Sequence, residues 1–354
     1  MNLVPLVDML GEHPTSALFG LATGAIFGVA AQRSAFCLRA ATVEFARGRL
    51  GPRVAVWLLT FSTALVWVQA ATLAGLFRST EARIMAVPGS WSGAIVGGLL
   101  FGVGMVMARG CSGRLLVLAA TGNLRSVVSG LIFAVAAQMS LHGWLSPLRN
   151  WLAGIWVTSG GHNLDLLDAS GLPRVAGLAL GLGFAVLALE IARRNRIGAG
   201  TLIFASGVGF AVAVGWVLTY WLAQVSFDPF PITSATFTGP SANTLMFFLS
   251  RDAVLDFDIG LVPGVFLGAF LAAAVAGELK LQGFEGESNM RRAMTGAVLM
   301  GFGGMLAGGC AIGNGVTGTS IFTGTSWLAL ACMWAGAMAA DYLIDQRPAA
   351  GALA

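Results

Sequence analysis

Long apolar segments broken by short polar ones form the dominant pattern of this 354-residue chain. A helix that spans the hydrocarbon core of a bilayer needs about 20 mainly apolar residues. Nine windows approach that length: 15–31, 54–77, 91–108, 126–141, 175–192, 201–223, 259–277, 293–307 and 326–344. We therefore predict an all-α polytopic membrane protein with about nine transmembrane helices, built as one integral membrane domain over residues 1–354.

Two of these windows, 126–141 and 293–307, are short, and glycine-rich polar turns lie beside several of the windows. Short apolar segments with such turns indicate helices that stop inside the membrane. Irregular backbone at that depth is tolerated only where it is buried in protein or lines a cavity. We predict short re-entrant helices around an internal cavity.

A ten-residue pattern occurs twice in the chain. Gly-x-Gly-x-x-x-Ala-x-Gly-Cys runs from Gly102 to Cys111 and again from Gly301 to Cys310, with every paired position 199 residues apart. The connections that precede the two copies are placed on opposite sides of the membrane, so the copies run in opposite directions. Many transporters carry their substrate path at the interface of such inverted repeats. We predict two pseudo-symmetric, inverted halves, approximately 15–170 and 174–345.

Charged residues are few and lie mainly in the connections. They make up 10% of the chain, against about 25% in a soluble domain. The basic connections 44–53, 193–196 and 278–292 are placed in the cytoplasm by the positive-inside rule, and the segments 144–173 and 227–258 are placed outside. The net charge of +4 fits this orientation and contact with anionic membrane lipid. Without a basic stripe interleaved with aromatic residues, the sequence predicts no nucleic-acid binding.

Three cysteines lie where apolar segments break. Cys37 follows Arg33, Cys111 follows Arg109, and Cys310 is followed by Asn314. A helix that starts at such a break presents free backbone N–H groups, which bind anions, and an arginine within a membrane usually faces a cavity or a partner. A thiol is a soft, weak hydrogen-bond donor that suits a solute with a terminal sulfur. Two chemistries stay open, a non-covalent thiol relay and attack by a thiolate.

The candidate site therefore comprises the three thiols and the polar, charged and glycine residues near them. The set is Cys37, Cys111, Cys310, Arg33, Arg109, Ser112, Gly113, Asn123, Gly313 and Asn314. Arg114 adds a further positive charge beside the second thiol. Cys332 lies inside an apolar run and is assigned to packing, because buried free cysteines commonly act as small hydrophobes. No spacing of cysteine or histidine indicates a metal site, and we predict neither a metal nor another cofactor.

The motifs resemble those of the YeeE/YedE sulfur-transport family, over nearly the whole chain. The shared features are Arg-Ser-x-Phe-Cys ending at Cys37, Gly-Cys-Ser-Gly followed by Thr121-Gly122-Asn123, Gly-Gly-Cys-x-x-Gly-Asn-Gly-x-Thr-Gly ending at Gly318, Gly264-x-x-x-Gly268 and Gly277-Glu278. The resemblance implies an hourglass-shaped bundle in the bacterial inner membrane that imports thiosulfate. It also implies that Cys37, Cys111 and Cys310 are spaced along a constricted path.

The same resemblance suggests partners and leaves alternatives open. Some members of the family work with a small cytoplasmic sulfur carrier of the TusA type, so such a carrier is a candidate partner beside the thiosulfate ion. Others are linked to selenium or to other sulfur species, and this chain could transport one of those instead. A membrane thiol enzyme, such as a sulfurtransferase that forms a persulfide, is the other alternative. We predict a transporter, not an enzyme, because the sequence shows no Cys-x-x-Cys pair and no obvious general base beside a cysteine.

Overall fold

The computed structural model describes residues 4–251, 254–283 and 286–346, and regular secondary structure within these ranges is helical. The helices are α1 (Val4–Leu10), α2 (Glu12–Ser34), α3 (Leu38–Ala46), α4 (Pro52–Leu73), α5 (Arg83–Ala86), α6 (Trp91–Met107), α7 (Ser112–Ala120), α8 (Leu124–Leu141), α9 (Ser146–Gly154), α10 (Leu166–Ala169), α11 (Arg174–Arg194), α12 (Ala199–Val225), α13 (Thr238–Leu249), α14 (Phe257–Val275), α15 (Glu287–Leu306) and α16 (Gly324–Ala340). Two π-helical segments, Gly313–Gly318 and Asp341–Gln346, lie on either side of α16.

Each of the nine predicted windows coincides with one of the long helices. In the part of the chain that the structure describes, eight helical stretches are long and apolar enough to cross a membrane. The ninth window lies in α15, which has 20 residues but begins with a charged turn that contains Glu287, Arg291 and Arg292. The prediction of an all-α polytopic membrane protein is confirmed.

Glycine stripes bring the backbones of α2 and α14 together. Gly20, Gly24 and Gly28 face α14, and Gly260, Gly264 and Gly268 face α2. A Cβ atom built at Gly264 would overlap the carbonyl group of Leu21. The two helices run parallel, because the first glycine of one stripe meets the start of the other helix. Small residues at this spacing allow membrane helices to approach closely and pack by van der Waals contact.

The two helices that carry the repeated pattern run antiparallel. Gly93, at the start of α6, faces Leu306 at the end of α15, and Gly104, near the end of α6, faces Gly296 in the first half of α15. The inverted orientation predicted for the two copies is confirmed. The next helices outward also correspond in the two copies, since α6 packs on α16 and α15 packs on α8. The boundaries 15–170 and 174–345 of the two halves stay predictions.

The basic connections meet at one end of the bundle, which we call the basic end. Asn195 Nδ2 donates a hydrogen bond to the Leu50 carbonyl at 2.9 Å. Arg47 and Arg292 each lie 2.8 Å from an aspartate of the segment Asp341–Gln346. The three connections placed on one side of the membrane from their charges therefore lie together.

The segments 144–173 and 227–258 lie at the opposite end. The Arg83 N–H donates to the Ile232 carbonyl at 2.9 Å there, and the Trp144 side chain is almost fully exposed. The proline-containing segment 227–258 holds a 12-residue helix, α13, that the apolar windows did not include. Pro240 is the third residue of α13, and a proline in the first helical turn removes no intrahelical hydrogen bond.

Candidate functional site

Each of the three predicted thiols stands at the start of a helical segment. Cys37 and Cys111 are the N-cap residues of α3 and α7, and Cys310 precedes the π-helical segment by three residues. Each sulfur faces the backbone N–H group of the residue three positions further on, which is Ala40, Arg114 or Gly313. The sulfur atoms therefore lie in the positive field of backbone N–H groups that have no partner within their own helix.

Cys37 and Cys111 form a pair, which we call the inner thiol pair. Their side chains lie close enough to interact with each other, and both are buried. The preceding helices end nearby in the left-handed conformation, with a φ of 51° at Ala35 and 57° at Arg109. A left-handed residue after the last helical turn redirects the chain. The starts of two short helices thus converge on the two sulfur atoms.

Arg114 supplies the positive charge beside the inner thiol pair. It lies in the first turn of α7, and its largely buried guanidinium interacts electrostatically with both Cys37 and Cys111. Its buried Nη1 atom has no hydrogen-bond partner among the described residues. An unsatisfied buried donor costs about 1–3 kcal/mol, and a guanidinium can donate two parallel bonds to an oxyanion. The arrangement suits the binding of an anion between the arginine and the thiols.

Cys310 lies nearer the opposite end, in a separate setting. Its Sγ atom accepts hydrogen bonds from the Phe237 N–H at 3.3 Å and from the Gly313 N–H at 3.4 Å. The hydroxyl group of Thr236 lies 4.0 Å from the same sulfur. Cys310 is fully buried, yet it remains within electrostatic range of Cys111. The loop before α13 therefore surrounds the third thiol and fixes its position.

A cavity of about 250 Å³ extends from the opposite end to the residues around Cys310. Its lining includes Arg83, Arg149, Asn243, Asp258, Thr236 and Gly313. Burial lowers the pKa of Arg149, and the buried Nε atom of this residue has no partner in the described part of the chain. Asp258 accepts a hydrogen bond from Asn243 at 2.9 Å. With two arginines and one aspartate in its wall, the cavity favours negatively charged solutes.

The ring of Phe237 separates the cavity floor from the inner thiol pair. It packs on Gly113, where an added Cβ atom would lie 3.2 Å from the ring, and its centroid is 5.1 Å from that of Phe27. Ile312 closes the same contact on the other side of Gly113. A tight apolar layer thus lies between Cys310 and the inner thiol pair.

The structure places three of the seven predicted site residues other than cysteine beside the thiols. Ser112 and Gly113 lie beside the inner thiol pair, and the buried Ser112 hydroxyl has no partner among the residues described. Gly313 contacts Cys310 directly. These three lie with the thiols, as the sequence predicts, although their part in binding stays a prediction.

Asn314 supports the turn at Cys310. Its Nδ2 donates to the carbonyl groups of Ala307 at 3.0 Å and Gly309 at 2.8 Å. Its Oδ1 accepts a bond from Ser326 Oγ at 3.0 Å. The amide thereby uses both of its donors within the protein, so Asn314 holds the shape of the turn.

The remaining three residues lie away from the sulfur atoms. Arg33 is paired with Glu278 at the basic end, and the exposed Arg109 lies 3.4 Å from Asn289. Asn123 caps α8, where its side chain accepts from the Ser126 N–H at 2.9 Å. The two arginines therefore add positive charge to the basic end and do not join the inner thiol pair.

Sequence reasoning missed several residues that lie beside the thiols or in the wall of the cavity. Arg114 was recognised as a nearby charge but not as the arginine next to two thiols, and the helical phase of α7 could have separated it from Arg109. Thr236 stands 199 residues after Cys37, the spacing of the repeat, and that offset could have found it. Arg83 and Arg149 lie in connections without any motif, so no local signal pointed to them.

Buried thiols at helix starts, within an inverted helical membrane bundle, define a membrane transport protein that handles a sulfur-containing solute. The chain belongs to the sulphur transport family, whose model matches residues 33–339.

Two relatives are similar over nearly their full length. The chain is 30% identical to the thiosulfate transporter TsuA of Escherichia coli (strain K12), over 94% of this chain and 95% of the relative. It is 27% identical to the thiosulfate transporter TsuA of Spirochaeta thermophila, over 88% of this chain and 93% of the relative.

Proposed function

We propose that this protein takes up thiosulfate across the bacterial inner membrane. The observation that carries the proposal is the placement of the thiols, with Cys310 buried directly behind Thr236 and Gly313 in the wall of a cavity and the inner thiol pair near the ring of Phe237. The names of the two relatives support thiosulfate as the substrate. The positive-inside rule puts the basic end in the cytoplasm, so the cavity opens to the outside.

Entry begins with electrostatic attraction. Arg83 and Arg149 draw the dianion into the cavity, where the low dielectric of the protein strengthens the attraction. At the floor, the S–H group of Cys310 donates to the terminal sulfur of thiosulfate. The N–H bonds from Phe237 and Gly313 hold the Cys310 sulfur in the orientation that this donation requires.

The ion then passes to the inner thiol pair when the ring of Phe237 moves aside. Cys111 and Cys37 take over the terminal sulfur, while Arg114 binds the sulfonate oxygens. Transfer between sites of modest affinity keeps the ion moving, since a single tight site would retain it. A cytoplasmic sulfur carrier of the TusA type would receive the substrate at the basic end, and this partner stays a prediction.

Uptake of ³⁵S-thiosulfate into liposomes that contain the purified protein tests the proposal. We expect Cys111→Ala and Cys310→Ala to abolish uptake, and Cys332→Ala to preserve it, because Cys332 packs its Cβ against Gly98 in the contact of α16 with α6. Cells that carry Cys111→Ala or Cys310→Ala should fail to grow on thiosulfate as the sole sulfur source, and cells that carry Cys332→Ala should grow. Equal uptake by all three variants would refute the thiol path.

Labelling the two sulfur atoms separately distinguishes transport from sulfur transfer. A transporter carries the label of the terminal sulfur and that of the sulfonate sulfur inward in equal amounts. A sulfurtransferase retains the terminal sulfur as a persulfide and leaves the sulfonate sulfur behind as sulfite. Competition by sulfate, sulfite and selenium analogues in the same assay tests the choice of substrate.

A further inference from the structure

The inverted repeat extends to the first thiol as well as to the other two. Thr236 follows Cys37 by 199 residues, the offset that relates Cys111 to Cys310. Each stands in a break just before a short helix, α3 after Cys37 and α13 after Thr236. The neighbours also correspond, because α3 packs on α4 and α16 while α13 packs on α14 and α8. Thr236 therefore occupies in one half the position that Cys37 occupies in the other.

Thr236 faces Cys310 as Cys37 faces Cys111. The Cys37 thiol interacts with the Cys111 thiol, and the Thr236 hydroxyl lies 4.0 Å from the Cys310 sulfur. A Cβ atom at Gly313 would overlap that hydroxyl, so the glycine in this motif leaves the space that Thr236 fills. A hydroxyl–thiol pair near the outside thus matches the thiol–thiol pair near the cytoplasm.

The hydroxyl of Thr236 has the Cys310 sulfur, 4.0 Å away, as its described partner, whereas the neighbouring hydroxyl groups donate to backbone carbonyl groups. Ser234 Oγ donates to the Val212 carbonyl at 2.6 Å, and Thr317 Oγ1 donates to the Ala235 carbonyl at 2.5 Å. Thr236 is half-buried and lines the cavity directly above Cys310. An ion at this end of the cavity therefore meets the Thr236 side chain.

We infer that Thr236 is a further substrate-binding side chain, which orients the ion at the outer entrance. The inference rests on the proposed function. An O–H group is a harder and stronger donor than an S–H group, so it favours the sulfonate oxygens, while Cys310 favours the soft terminal sulfur. The pair selects an oxyanion that carries a terminal sulfur over an oxyanion with oxygens alone, and it presents the sulfur end to the thiols first.

Four variants in the liposome uptake assay test this role. Thr236→Val removes the hydroxyl at nearly constant shape, and we expect KM for thiosulfate to rise about tenfold or more, the loss of one hydrogen bond to a charged group. Thr236→Ser keeps the O–H group and should stay within about twofold of the wild type. Thr236→Cys restores a hydrogen-bond donor of the softer type. We expect it to reduce the preference for thiosulfate over analogues that contain selenium or only sulfur. Thr72→Val is the matched control, since its hydroxyl bonds within its own helix to Val68.

The outcomes separate this inference from the proposed function. A wild type that takes up no thiosulfate refutes the proposed function, and a wild type that does so beside an unchanged Thr236→Val refutes the role of Thr236. Melting of each variant in detergent detects misfolding, and Thr236→Ala then replaces Thr236→Val because it removes the hydroxyl without adding bulk. A selectivity for thiosulfate over sulfate that does not change in Thr236→Ala also overturns the inference.

Discussion

Replacing Arg114 with glutamine separates the affinity for the ion from the stability of the fold. The guanidinium is largely buried beside Cys37 and Cys111, and its Nη1 atom lacks a partner among the described residues. In the proposed function, this arginine binds the sulfonate oxygens at the inner site. Arg114→Gln keeps a polar but shorter side chain and removes the charge and the forked geometry.

The structure gives the expected size of the change in affinity for the ion and of the change in stability. Two hydrogen bonds to a charged partner contribute about 1.5–3 kcal/mol each, so a loss of about 3 kcal/mol in binding corresponds to roughly 150-fold at 1.36 kcal/mol per decade. The stability should change in the opposite direction. Removing an unsatisfied buried cation relieves a desolvation cost of about 1–3 kcal/mol, so the substrate-free variant should melt at a higher temperature.

Two measurements on the same preparations check the prediction. The concentration dependence of ³⁵S-thiosulfate uptake gives KM, and thermal melting in detergent without substrate gives the stability. Arg114→Lys keeps the charge but not the bidentate fork, so its KM should lie between that of the wild type and that of Arg114→Gln. Arg49→Gln removes an exposed arginine from the same end and serves as the control. A KM within twofold of the wild type in Arg114→Gln would show that the arginine does not contact the ion.

Two further substitutions test the packing that shapes the site and the bundle. Gly313→Ala places a methyl group on the Thr236 hydroxyl, so we expect thiosulfate uptake to fall sharply. The yield and helical content of the purified protein should stay unchanged. Normal uptake would show that the cavity floor adjusts freely. Gly264→Leu forces α2 and α14 apart at a cost of about 3 kcal/mol, which should lower the melting temperature, whereas Gly130→Leu enters open space and should not; equal melting of the two variants would contradict the close contact.

The sequence predicted the helices well because a bilayer imposes a strong length and polarity requirement on each of them. All nine windows correspond to helices, and the repeated glycine-cysteine pattern predicted the antiparallel arrangement of α6 and α15. The pattern is informative because close contact between helices requires glycine. The glycines therefore have the same spacing in both copies of the repeat. By contrast, α13 escaped notice because its 12 residues are too few to cross a membrane, and because Pro240 and the two prolines before the helix favoured a loop.

The site was predicted less completely, because side-chain direction depends on tertiary packing. Arg109 and Arg114 flank the same thiol, but the left-handed turn at Arg109 directs that side chain to the surface, while Arg114 continues into α7 and faces the sulfur atoms. The motif around Asn314 suggested that this residue binds the substrate, yet its side-chain N–H groups donate to the Ala307 and Gly309 carbonyls.

The scaffold is symmetric, but its chemistry is not, and this difference bears on the speed of transport. The position in the second copy of the repeat that corresponds to Arg114 is Gly313, so the guanidinium beside the inner thiol pair has no counterpart at the matching position beside Cys310. For the proposed path, the ion therefore has its longest residence time at the inner site, and departure into the cytoplasm, more than arrival from outside, limits turnover. A variant that binds the ion somewhat less tightly there would work more slowly at scarce thiosulfate and faster at saturating thiosulfate.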